Sequence, residues 1–159
     1  MLQQIVGKKI RWAILTIVIA SLCLFLWLNL CPIKVIAVHK FHDYQGFSAV
    51  LVNHFPLTAR GKIEWWKKNK KMLKSRYGIP DPAPYGSYTI TFWLFGDGYR
   101  ARDKYDRLCF TDMKNQQNCV EKNKVFTVSY SEKSGLYFLA NNGYYRVKDN
   151  GGIIKLPTN

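Results

Sequence analysis

His39, His42 and His54, with Asp43 beside the second, are residues of the kind that hold a divalent metal, since imidazole and carboxylate together supply its ligands. His39 and His42 stand three apart at the end of an extended run, where side chains alternate faces and do not converge. Solvent or turn histidines are therefore the expectation, with no metal. Asp97, Asp103 and Asp106 are close enough in sequence to suggest paired carboxylates for hydrolysis. Arg100, Arg102, Lys104 and Arg107 interleave with them, and surface ion pairs explain the composition more simply. Gly96-Asp97-Gly98 resembles a fragment of a phosphate loop, but neither a Lys-Ser/Thr pair nor a helix follows, so it reads as a turn. Cys109 and Cys119 are spaced for neither a CxxC redox pair nor a zinc knuckle. Their spacing suits a disulfide closing a polar loop between two strands, with two unpaired thiols as the alternative. With Cys109 so used, no Ser-His-Asp or Cys-His set remains. The expectation is a protein that is not an enzyme and needs no cofactor.

A second group is defined by charge. Between residues 59 and 77, Arg60, Lys62, Lys67, Lys68, Lys70, Lys71, Lys74 and Arg76 face a single acid, Glu64, with Trp65 and Trp66 among them. Thr58 as N-cap, Gly78 as C′ residue and Pro80 beyond predict a helix ending at Tyr77. Ile63, Trp66, Lys70, Leu73 and Tyr77 recur at helical spacing and form the expected buried stripe, with the Lys70 stem lying along apolar surface. Lys67, Lys68, Lys71 and Lys74 then make a candidate binding face, with Trp65 partly exposed beside them. Such a face suits anionic headgroups or an acidic protein; the alternative is a merely solvated surface.

The elements around it are mostly strands. KVIAVH (34–39) and FSAVLVN (47–53) read as a hairpin across DYQG, and PDPAPYG (80–86) is a loop after the helix. YTITFWLF (88–95), YDRLCF (105–110), KVFTVSY (124–130), GLYFLA (135–140) and YYRVK (144–148) follow. Asn141-Asn142-Gly143 is a tight-turn signal, and GIIKL (152–156) is a short closing strand. The expected fold is α+β, one basic helix packed on an antiparallel sheet.

All of this lies after a different kind of segment. Between Arg11 and Lys34 no residue is ionisable. At about 1.5 Å per residue, the stretch reaches across a hydrocarbon core of about 30 Å as a helix. Trp12 and Trp27 stand towards its ends, where aromatic rings prefer the interface, and Pro32 stops the helix. Residues 1–11 form the tail, 12–33 the span and 34–159 the domain. Val35-Ile36-Ala37 offers a signal-peptidase-like site, but the apolar run is longer than the usual h-region, which favours an uncleaved signal anchor over a leader.

Lys8, Lys9 and Arg11 before the span, without an acid, favour a cytoplasmic N-terminus. The domain is then extracytoplasmic, in a Gram-negative cell periplasmic, which permits a disulfide. Of the net charge of +14, residues 38–159 carry +10, twenty basic residues against ten acids. That balance favours anionic partners. Nucleic acid is not expected in that compartment.

The blocks FPLTARGKIEWWKKNKKMLKSRYGIP, ITFWLFGDGY and KYDRLCF with NCVEKNKVF resemble an enterobacterial family of inner-membrane proteins of unknown function. The likeness covers nearly the whole chain. It implies a membrane-anchored enterobacterial protein and carries no catalytic residue across. Small anchored proteins of this sort often accompany secreted antibacterial toxins as immunity factors. The leading expectation is thus a domain, tethered to the inner-membrane bilayer, that binds a toxin or another envelope protein. A structural envelope component with its basic helix on the membrane surface is the alternative, and a periplasmic hydrolase the third.

Overall fold

The structure is a computed structural model that describes residues 2–30, 32–41 and 44–157. The chain divides into two units, Met1–Pro32 and Ile33–Asn159. The first is one helix, α1 (Leu2–Leu30), whose stretch Lys8–Leu26 is long and apolar enough to cross a membrane and has no buried residue. Helix ends before Pro32, as the missing amide hydrogen of proline requires. Ile33, expected inside the span, instead packs against the core of the second unit.

That unit is built on a seven-stranded sheet in the order β1-β2-β3-β7-β8-β9-β10. β1 (Val35–Lys40) and β2 (Phe47–Val52) form the expected hairpin, and α2 (Ala59–Tyr77) follows. β3 (Tyr88–Leu94) then lies parallel to β2, Phe47 opposite Thr89 and Val52 opposite Leu94. An antiparallel sheet was expected throughout, and every other pairing is antiparallel. A parallel pair needs a long crossover, and α2 supplies it. β7 (Lys124–Ser131), β8 (Gly135–Ala140), β9 (Gly143–Val147) and β10 (Ile153–Lys155) complete the sheet as a meander. Asn141 and Asn142 have φ of 47° and 57°, the left-handed pair of a tight hairpin turn that Asn tolerates.

Three short strands, β4 (Arg100–Ala101), β5 (Arg107–Cys109) and β6 (Gln117–Glu121), make a separate sheet in the order β4-β6-β5. β6 falls where a polar loop was expected, because its sequence, Gln-Asn-Cys-Val-Glu, has little strand character of its own.

Each end of α2 closes as the sequence indicates. Thr58 is extended at the N-cap and its hydroxyl accepts from the Gly61 amide at 3.0 Å. Gly78, at φ 66°, donates to the Lys74 carbonyl, and Ile79 donates to the Leu73 carbonyl. Ile63, Trp66 and Leu73 are buried on the sheet with Phe92, Phe126 and Phe138, and each such side chain contributes roughly 1.5–3 kcal/mol by leaving water.

The opposite face of β2 carries a second, smaller core of Ala49, Leu51, Phe110 and Val120, covered by the small sheet and its loops. β2 is therefore buried on both faces. Its alternation sends Val50 and Val52 to α2 and Ala49 and Leu51 to the small sheet.

Candidate functional site

The basic face of α2 is present but narrower than its sequence. Lys67, Lys68, Lys71 and Lys74 are all exposed. Lys67 pairs with Glu64 at 3.1 Å, and Lys74 donates to the Pro80 carbonyl at 2.7 Å. Trp65 is partly exposed, as expected. Its half-buried ring meets Phe55 and Phe92 edge-on, with centroids 5.1 and 5.7 Å away. An indole at this flank removes more apolar surface from water by leaning on the core than by facing out.

Lys70, assigned to the buried stripe, is exposed. Asn69 takes the neighbouring half-buried place and donates to the Trp65 carbonyl, which satisfies an amide there where an ammonium would lose hydration.

Lys62 departs most from the charge pattern. It is 7% exposed, and its ammonium donates to the Val125 carbonyl at 2.9 Å and to Asn141 Oδ1 at 2.6 Å. Burial lowers its pKa below the usual 10.5. Asn141 in turn donates to the Leu57 carbonyl, so the amine ties the start of α2 to the β8–β9 turn.

His42 and Asp43 lie outside the described residues. His39 is buried among polar partners that the sequence gave no reason to connect. Its Nδ1 lies 3.0 and 2.9 Å from the two Asp112 oxygens, its Nε2 lies 2.8 Å from the Tyr99 hydroxyl, and its ring stacks on Phe110 at 3.8 Å. With the proton on Nδ1, the imidazole donates to the carboxylate and accepts from the phenol. Burial first, and the Asp112 charge second, push the Tyr99 hydroxyl above its ordinary value near 10. The chain of groups latches β1 to the β3–β4 and β5–β6 connections. Asp112, inside the expected polar loop, and Tyr99, beside the glycine turn, carried no signal. Only an alternation argument, which turns His39 towards the side of Ala37 and Phe41, could have hinted at a core role. Among the described residues no three His, Cys, Asp or Glu side chains come together to hold a metal.

The three carboxylates of the third group are each taken by a different cation. Asp97 pairs with Arg100 at 2.7 Å, Asp103 with Arg107 at 2.5 Å, and Asp106 with Lys122. Gly96 and Gly98 have φ of 52° and 90°, and the Gly98 amide closes a turn on the Phe95 carbonyl. Cys109 and Cys119 are bonded, directly opposite one another on β5 and β6.

The family described as enterobacterial putative membrane protein (DUF943) matches residues 6–157. This chain belongs to that family. The match takes in most of α1, the helix able to span a bilayer, together with both sheets. No match was found among curated proteins or among solved structures.

Proposed function

We propose that this membrane protein is held in the inner membrane by α1, N-terminus in the cytoplasm, and captures an acidic envelope protein in the periplasm through α2. The observation that carries the reading is the exposed row Lys67, Lys68, Lys71 and Lys74, with Glu64 as the lone acid of its helix, on a domain whose residues 38–159 carry +10. A field of that sign steers acidic partners and speeds their association. Two features support the anchor and the compartment. Residues 35–37, the possible cleavage site, are inside β1 and aligned with β2, so cleavage there would remove half of a sheet strand. The disulfide is of the kind that persists in an oxidising compartment. Immunity against a secreted toxin is the narrower form of this reading, with the toxin as the acidic partner.

The test is a photo-crosslinking residue at Lys70 or Ser75, exposed positions beside the row, in intact cells. A discrete protein adduct that is lost when Lys67, Lys68, Lys71 and Lys74 are changed to Gln supports the reading. Adducts only with lipid, or adducts unchanged in the Gln variant, overturn it. A reporter fused after Asn159 should be active only if it folds in the periplasm; activity in the cytoplasm would reverse the orientation.

A further inference from the structure

Apart from α2, a cleft of about 430 Å³ opens between the β1–β2 turn and the loop that follows α2. This is within the usual size of small-ligand sites. Phe41 and Phe47 line it from the hairpin, and Pro82 and Pro84 line it from the loop. Phe47 is 46% exposed for an aromatic ring, and Tyr44, 68% exposed, meets it edge-on. Tyr85, next to Pro84, is also exposed. Among these apolar surfaces stand three polar groups, Lys40, Asp81 and Gln45.

Both walls are fixed in place. Gly46 has φ +86°, and a Cβ there would come within 2.7 Å of the Ser87 carbonyl, so the hairpin turn lies directly on the loop. The Thr89 amide donates to the Gly46 carbonyl at 2.8 Å. The loop carries its own bonds, Ala83 amide to Ser87 carbonyl and Gly86 amide to Ala83 carbonyl, and Ala83 is buried. A ligand would meet a preformed surface and would not have to order it.

The charge of the cleft sets it apart from the rest of the domain. Lys40 Nζ lies 2.9 Å from Asp81 Oδ2, and the pair neutralises itself. Each partner keeps hydrogen-bonding capacity, the ammonium its other N–H groups and the carboxylate its second oxygen. Among the described residues that line it, the cleft therefore presents ring and proline faces rimmed by one ion pair of zero net charge and an amide. Pyranose rings have matching chemistry, C–H faces that lie on aromatic and proline surfaces and hydroxyls that both donate and accept. We propose that this cleft binds a neutral oligosaccharide. The proposal is independent of the partner of α2.

The test uses the full chain in phosphocholine-lipid nanodiscs, free of sugar-headed detergent, titrated calorimetrically with chitohexaose, maltohexaose and a proline-rich decapeptide. At least one oligosaccharide should bind, with little dependence on salt. Phe47→Ala should weaken it about tenfold, and Gln45→Ala and Asp81→Asn about threefold each. A triple Gln variant of α2 at Lys67, Lys68 and Lys71, which keeps the Lys74 bond to the Pro80 carbonyl, should bind it unchanged. Phe47 is exposed and outside both cores, and if its variant misfolds, Gln45→Ala still decides. Absence of binding by both sugars at millimolar concentration overturns the proposal. So does sugar binding that Phe47→Ala and Gln45→Ala leave intact, or a decapeptide that binds more tightly than either sugar.

Discussion

His39 and Asp112, 73 residues apart, meet with Nδ1 2.9 Å from Oδ2, the imidazole almost fully buried and the carboxylate about a quarter exposed. The contact joins the first strand of the large sheet to the turn that connects β5 and β6. His39 also lies flat on Phe110, so its polar edge and its ring face are both engaged.

Removing one member of such a node leaves the others unsatisfied. Asp112→Asn and His39→Gln should each cost about 1–3 kcal/mol, and the double variant should cost less than their sum. Denaturant titration of the full chain checks this. Additive losses would show that the two groups act separately.

The disulfide fixes the same turn from its base. Closing a short loop is worth roughly 2–4 kcal/mol in the chain-entropy picture, so Cys109→Ser or Cys119→Ser should lower stability by that order. Thiol labelling before and after reduction, on protein taken directly from cells, reads the oxidation state. Reactive thiols at both positions without reduction would contradict it.

Two lysines of one helix should behave oppositely. Lys62→Ala strands the acceptors on Val125 and Asn141 and should cost about 1–3 kcal/mol, whereas Lys68→Ala should change stability by less than about 0.5 kcal/mol. The pH dependence separates them further. Lys62 has a folded pKa below its unfolded 10.5, so between those values the unfolded chain holds more protons and stability rises with pH. Lys62→Met should abolish that rise, as seen in melting curves taken across the alkaline range.

Tyrosines give the reverse slope at higher pH. Tyr88, through burial and then the neighbouring Tyr130, and Tyr99, through burial and then Asp112, both have pKa values raised above 10. Their contribution is complete below the unfolded pKa near 10 and is lost as pH climbs from there through the raised folded values. Phenolate absorbance should therefore develop in step with unfolding for these two rings. In Tyr99→Phe the alkaline loss should shrink, and an unchanged profile would remove Tyr99 from the account.

Sequence alone determined the features that depend on local chemistry. An uncharged apolar run of membrane length permits only a helix that buries its backbone groups internally, and Pro32 stops it. Thr58 and Gly78 set both ends of α2 because capping is decided within a few residues, and Asn141-Asn142-Gly143 set a hairpin for the same reason. Cys109 and Cys119 could be read as a pair, although β6 could not be read as a strand.

Tertiary structure decided what depends on distant partners. Eight basic residues on α2 look alike in sequence, yet Lys62 is buried because Val125 on β7 and Asn141 in the β8–β9 turn supply acceptors. Lys70, expected on the buried stripe, is exposed, and Trp65, partly exposed as expected, spends its buried part on Phe55 and Phe92, because tertiary packing decides where apolar cover ends. β2 and β3 run parallel because α2 carries the chain back across the sheet. His39, Tyr99 and Asp112 come together only when the small sheet closes over β1 and β2, since no short-range pattern encodes a bond across 73 residues.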